Sequence, residues 1–473
     1  MVGAPICSLA SARSTHVGRP VTAPGQFIRA IGLGRATAMV VGTIIGASIF
    51  VQPSLVSGAV PTTFGVLLVW ACAGALTLIG ALVTAELSSA FPETGGVYVF
   101  LKRAYSPSVA YLWGWAMFWT MHSGIIAVIA TVFARYVGHF VELDDAGMRA
   151  TAIAAIIGLS AVNYFGVRQA SALQTFFTVI KLVAVLMIVV LGIWFVAWHD
   201  VSSPAATVSG PISGRSFVLA MIAGLFAYGG WHMVTYAADE TREPSRTIPR
   251  ALVIGTVIVT AAYISINAAY LAVLPIDKVV ASNRVAADFA DAVLGSGGAN
   301  ALSTLVILST LGGLTGIILA GPRVYLAMAN DGVLFRWAGA VHPVHRTPHV
   351  AIALQGIWAS VLVLSGTYRA LFTRVVYTEW IFFALMAASL FLLRRRADYR
   401  PAYRMPAYQV LAGVFVVSSL AIVANQIMTE PFESLTGLAM VLVGLPVYWF
   451  WTRTEKSRVM RPASPHITSD ESA

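Results

Sequence analysis

Runs of about twenty apolar residues, each long enough to cross the hydrocarbon of a bilayer as a helix, recur along the whole chain. They lie near 36–58, 64–90, 108–138, 150–166, 171–198, 216–238, 249–274, 299–329, 349–367, 371–393, 407–428 and 435–452. No water is present at that depth to satisfy backbone groups, so only helices or closed barrels can span it. Runs of this length and continuity predict helices. The expected fold class is an all-α integral membrane protein with 12 transmembrane helices. Composition agrees. Charged residues are 11% of the chain and apolar residues 58%, whereas a soluble domain carries about 25% charged residues.

The net charge of +10 does not predict a nucleic-acid partner in a chain this apolar. It predicts loops held against an anionic leaflet, with the lipid bilayer as the main partner. Cys7 and Cys72 fall in a polar tail and an apolar run, so no disulfide framework is expected. Residues 1–30 hold Arg13, Arg19 and Arg29 and no apolar core before Phe27. They do not resemble a secretory signal and are read, like 453–473, as a disordered cytoplasmic tail.

Orientation follows from Lys and Arg in the loops. With the N-terminus inside, the inside loops include Lys102, Arg103, Arg242, Arg246, Arg250, Arg323 and the cluster from Arg394 to Arg404. The inside set outnumbers the outside set about three to one, which predicts an even span count and both termini in the cytoplasm of a cell (inner or plasma) membrane.

Two spans carry interruptions. The first contains Gly42-Thr43-Ile44-Ile45-Gly46-Ala47-Ser48-Ile49-Phe50, and the sixth Phe226-Ala227-Tyr228-Gly229-Gly230-Trp231-His232. Glycine costs a helix interior about 1 kcal/mol relative to alanine. Glycines in corresponding spans of two inverted halves point to a carrier's binding site, because unwinding frees backbone groups at mid-membrane. An amino acid suits such a site. Its carboxylate accepts from N–H groups at the start of a half-helix, here those of Gly46, Ala47 and Ser48. Its ammonium donates to carbonyls at a half-helix end, here those of Thr43, Ile44, Phe226 and Ala227. Close helix packing is the competing explanation for any one such glycine.

Gly-Thr-Ile-Ile-Gly-Ala-Ser-Ile-Phe at 42–50 resembles the first-span motif of the amino acid–polyamine–organocation superfamily. Several further stretches are similar to its L-type amino-acid transporter branch: Phe226 to Trp231 with Glu240 and Pro244…Ile248-Pro249-Arg250; Ala85-Glu86-Leu87…Phe91-Pro92…Gly95-Gly96…Tyr98; Gln174…Phe177-Thr178…Lys181-Leu182; and the Arg394–Pro406 loop. The resemblance covers roughly 30–452. It implies a five-plus-five inverted-repeat (LeuT-like) core with two broken helices, the repeats at 31–200 and 216–396, and spans 11 and 12 at 405–452. It also implies alternating access, with substrate contacts at Thr43, Ile44, Gly46, Ala47, Ser48, Phe226, Ala227 and Gly229. Phe226 matches the aromatic that closes over substrate. Ser48 departs from the glycine usual there, which keeps the backbone N–H but narrows the pocket. The loop 138–149 lacks the cysteine of the heavy-chain-linked animal members. The resemblance therefore implies a stand-alone, prokaryotic member with no disulfide-linked heavy chain, and a monomer.

Lys181 lies about 15 Å inside its helix, and a charge at that depth is a functional hypothesis by default. By resemblance it stands where sodium-coupled relatives hold the ion, bridging the first and fifth spans. That implies sodium independence and leaves open an amino-acid exchanger or a proton-coupled symporter. Tyr263 and Asn267, His232, and Trp380 with Glu379 are further candidates for the pathway. His122 reads as a satisfied core histidine. Glu86, Asp239 and Glu240 sit at cytoplasmic span ends, where they either pair with arginines as an inner gate or stay solvated. His342, His345 and His349 are interrupted by Pro343 and Pro348 and lack a Cys, Asp or Glu companion, so no metal site is expected. No cofactor is expected either. The chain has no Gly-x-Ser-x-Gly, His-Glu-x-x-His or phosphate-loop motif, which argues against an enzyme. A channel would favour a filter loop or rings of charge. The remaining alternative within the same fold is a polyamine or organic-cation carrier.

Overall fold

The computed structural model describes residue 29 and residues 31–198, 213–295, 297–365 and 368–459. The expected tails therefore lie almost wholly outside the described residues. The described chain is helical. Its sole extended pairing among the described residues is a parallel bridge between Ile31 and Thr241.

The helices follow in order. First come α1 (Leu33–Ile44), a 3-10 turn (Ala47–Phe50), α2 (Gln52–Ala59), α3 (Thr63–Ala90) and α4 (Val97–Ala104). Then α5 (Pro107–Ala116) runs through a π turn (Met117–Met121) into α6 (His122–Val137), followed by α7 (Asp145–Phe165) and α8 (Val167–Trp198). The second half has α9 (Gly214–Ala227), a 3-10 stretch (Trp231–Glu240), α10 (Pro244–Val273), α11 (Ile276–Ala281), α12 (Val285–Leu294) and α13 (Gly298–Asn330). It closes with α14 (His349–Ser365), α15 (Tyr368–Leu393), α16 (Tyr408–Thr429), α17 (Pro431–Leu442) and α18 (Gly444–Val459).

Among the described residues nine helical stretches are long and apolar enough to cross a membrane, and Leu33–Ile44, His349–Ser365 and Tyr377–Leu393 are shorter apolar helices. Each of these stretches overlaps one of the expected runs. Three features differ from the expectation. The last run is divided at Val443 into α17 and α18. The loop between α10 and α13 holds two short helices, α11 and α12. A short amphipathic helix, α4, follows α3, its Lys102 and Arg103 in the last turn.

Helix starts are set locally. Thr62, Ser106, Asp144 and Ser213 each accept a hydrogen bond from a backbone N–H one turn on, at 3.0, 3.3, 2.7 and 3.0 Å, satisfying donors that a helix cannot satisfy itself. Pro107 fits the first turn of α5 because its missing N–H would be unpaired there anyway.

In lipid, burial and polarity no longer coincide, so periodicity reads differently. On α8, Gln174, Phe177, Thr178, Lys181, Ala184 and Ile188 are buried, while Phe176, Val179, Leu186, Val190 and Ile193 are exposed. The exposed residues named are all apolar, whereas half of the buried ones, Gln174, Thr178 and Lys181, are polar. Small residues let backbones approach on that inner side. A Cβ at Gly42 would lie 2.5 Å from Thr178 Oγ1, and one at Gly312 would lie 2.2 Å from the Phe177 Cβ. Thus α1, α8 and α13 converge, and α1 also packs on α10 and on the second broken helix.

Candidate functional site

Both predicted interruptions are present. α1 stops at Ile44, Ile45 adopts φ −69°, ψ 86°, and Gly46 is extended before the 3-10 turn begins. α9 stops at Ala227, and the chain passes through Tyr228, Gly229 and Gly230 before the next stretch. Gly230 has φ +97°, and a Cβ there would lie 2.9 Å from the Thr43 carbonyl oxygen. Only glycine meets both demands without strain.

The two breaks face each other. The Tyr263 hydroxyl lies 3.0 Å from the Ile44 carbonyl and 3.0 Å from the Ala227 carbonyl. Those are the last carbonyls of α1 and α9, at the negative ends of two helix dipoles. A phenol has one proton, so it serves two acceptors that attract positive charge. The Ile44 carbonyl also accepts from Gly46 N–H at 2.7 Å. The Thr43 hydroxyl lies within 2.8 Å of Met39 O, 3.1 Å of Val40 O and 3.1 Å of Gly230 O. Its single proton can leave its own helix to join the second break. Ser48 and Phe226 are buried beside these groups. Gly46 caps the 3-10 turn Ala47–Phe50 with no side-chain hydrogen bond.

Lys181 is fully buried, and its Nζ donates to the Gly42 carbonyl at 2.8 Å. A Cβ on Gly313 would lie 3.4 Å from that Nζ and 3.6 Å from the Gly46 Cα. The ammonium therefore joins the first and fifth apolar stretches beside the first break, with α13 closing the third side. The Gly312-Gly313 pair escaped the sequence reading, although two adjacent glycines in an apolar run were visible there.

Other candidates sit as follows. Asn267 donates to Tyr263 O at 2.8 Å, within α10. His122 is buried, its Nε2 2.7 Å from the Ile317 carbonyl. His232 is buried among the rings of Trp113, Trp231, Tyr236 and Phe383, and its Nδ1 has no hydrogen-bond partner among the described residues. Trp380 stacks on Phe415 of α16 at 5.6 Å, while Glu379 is buried. His342, His345 and His349 gather round Tyr164. His342 Nδ1 there accepts from the N–H groups of Val344 and His345. Among the described residues no group of three His, Cys, Asp or Glu could hold a metal.

On the face where α3 and α15 end, Glu86 is buried and paired with Arg394, and it also accepts from Tyr399 and from Met405 N–H. The Arg394 guanidinium lies 3.8 Å from the centre of the Tyr408 ring. Glu240 accepts from Arg323 at 2.8 Å, whereas Asp239 is exposed and makes no ion pair among the described residues. Ile31 N–H donates to Glu240 O at 3.0 Å and Arg242 N–H to Ile31 O at 2.8 Å, which joins the start of α1 to the foot of the second broken helix.

An all-helical, many-span membrane protein whose two interrupted helices pack side by side has the architecture of a secondary carrier. Residues 31–450 match the family model described as amino acid permease. The chain belongs to that family of amino acid permeases, which are transporters and not enzymes. It is 31% identical over 423 residues to the serine/threonine exchanger SteT of Bacillus subtilis, covering 89% of this chain and 96% of that one. It is 30% identical to the mouse (Mus musculus) b(0,+)-type amino acid transporter 1, covering 96% and 94%. It is 28% identical to the human (Homo sapiens) cystine/glutamate transporter, covering 94% and 89%.

Proposed function

We propose that this permease is sodium-independent and binds an amino acid where α1 and α9 break, exposing it alternately to the two sides of the membrane. The observation that carries the reading is the Tyr263 hydroxyl shared between the Ile44 and Ala227 carbonyls. Two helix C-termini aimed at one donor form a ready acceptor for an α-ammonium. Their remaining partners are the carbonyls of Thr43 and Phe226. The N–H groups of Ala47 and Ser48 receive the carboxylate, joined by those of Gly46 and Gly229 as they leave the Ile44 and Phe226 carbonyls. Phe226 covers the bound molecule. Tyr263 holds the two carbonyls while the site is empty. His232 and Trp380 line the route.

In this reading the chain has twelve spans, with inverted repeats at 31–200 and 216–396. Both termini are cytoplasmic, and the protein works as a monomer without a disulfide-linked heavy chain. The Glu86–Arg394 and Glu240–Arg323 pairs are then a closed inner gate. Lys181 places its amine beside the first break, where a coupled sodium ion would otherwise sit, either as a permanent charge in an exchanger or as a titrating group in a proton-coupled symporter.

Uptake of radiolabelled amino acids into liposomes holding the purified protein tests the reading. An exchanger is expected to take up label only into vesicles holding internal amino acid, and a proton-coupled symporter also into empty vesicles under a proton gradient, so the comparison separates the two. No uptake under any gradient would remove the carrier reading. Replacing sodium by choline is expected to leave the initial rate unchanged, and a large loss would contradict the role given to Lys181.

A further inference from the structure

Glu379 is a carboxylate in the protein core, 7% exposed, that the transport reading above leaves without a task. Among the described residues no hydrogen bond or ion pair engages it. The cations that share the interior are committed elsewhere: Lys181 to Gly42 O, Arg323 to Glu240 and Arg394 to Glu86. A buried carboxyl group either keeps its proton or needs something positive to compensate its charge, and the described chain supplies no cation there.

Its depth matches the second break. Phe383, one helical turn further along α15, packs at 4.9 Å on His232, which follows Gly230 by two residues. α15 and the 3-10 stretch run in the same direction. Their ends lie on one face, where Arg396 donates to the carbonyls of Arg103 and Ala104, Lys102 binds Asp331, and Asp239 N–H donates to Thr94. One turn of α15 is about 6 Å at 1.5 Å per residue, and two residues of 3-10 helix rise about 4 Å. Glu379 therefore stands level with residues 228–230.

The surroundings suit an organic cation. Trp113 packs edge-on against Phe382 at 5.4 Å and against His232 at 5.9 Å. The Tyr236 hydroxyl contacts the Met117 sulfur at 3.8 Å. Aromatic faces attract ammonium and guanidinium groups. The facing helix carries the π turn Met117–Met121, an irregularity common at functional sites.

We propose that Glu379 receives the cationic side-chain end of a dibasic amino acid whose backbone is held at the two helix breaks. The inference rests on the site reading given above and adds the substrate class. The test uses full-length protein in liposomes and labelled uptake of a neutral amino acid, with lysine, ornithine and norleucine as competitors. Norleucine has lysine's length without its charge. In the wild type, lysine and ornithine are expected to compete at least roughly tenfold better than norleucine, the scale of one charge-assisted hydrogen bond. Glu379→Gln is expected to erase that preference and Glu379→Asp to keep it.

If the neutral substrate moves but lysine competes no better than norleucine in the wild type, the assignment of Glu379 is overturned and the carrier reading stands. That comparison does not depend on any variant folding. If Glu379→Gln slows every substrate alike and removes the response to an imposed proton gradient, the carboxylate is a proton relay and the proposal fails. If no amino acid moves in any arm, the reading of the breaks has failed first.

Discussion

Replacing Gly46 by leucine is expected to bring uptake to background while the protein stays folded in the membrane. The backbone at Gly46 is ordinary for any residue, at φ −105°. A Cβ there meets nothing nearer than Ile44 O at 3.8 Å. Alanine therefore fits, and Gly46→Ala should keep measurable transport. The rest of a leucine side chain would extend past the Ile44 carbonyl, into the space assigned to the substrate ammonium, and would cover N–H groups assigned to the carboxylate. Uptake and size-exclusion behaviour in detergent, measured on both variants, decide the point. Normal uptake by Gly46→Leu would sink the unwound-site assignment.

Lys181→Met is expected to lower uptake on the order of 10- to 100-fold, the worth of a hydrogen bond to a charged group. Methionine keeps the unbranched stem, so the packing against Gly312 and Gly313 survives. The Gly42 carbonyl loses its donor, and the first break loses its neighbouring amine. Thermal stability should move little. The cost of an unpaired carbonyl, about 1–3 kcal/mol, is offset by no longer burying an ammonium. Transport lost with an unchanged melting temperature is thus the signature that separates a working lysine from a structural one. A variant that melts far lower and transports normally once folded would contradict the assignment.

Much of this architecture was legible in the residues. The hydrocarbon thickness fixes span length, so the apolar runs fell where the helices lie, and glycine runs at 42–46 and 229–230 marked the breaks. Other features were hidden because they depend on partners far away in sequence. Nothing local to Tyr263 says that its hydroxyl stands between the ends of α1 and α9. Nothing local to Gly230 says that Thr43 O sits 2.9 Å from its would-be Cβ. Glu379 could be placed on the tenth apolar run from sequence, but at the outer interface as readily as in the core. Its burial is set by the turn of α15 that packs Phe382 and Phe383 on Trp113 and His232. The buried-side arginines that pair with Glu86 and Glu240 show the same limit. Arg394 was visible as one of a basic cluster, and only the folded loop shows that it, rather than its neighbours, meets Glu86.

The bridge between Ile31 and Thr241 has a mechanical consequence. The two interrupted helices are pinned together near the foot by that backbone pairing. They are pinned again at Thr43, Tyr263 and Gly230. The twelve residues of α1 from Leu33 to Ile44 rise about 18 Å at 1.5 Å per residue, so the two pins stand well apart. Two bodies held at two points keep a single freedom between them, rotation about the line through the points. Sliding of one helix along the other is forbidden while both pins hold.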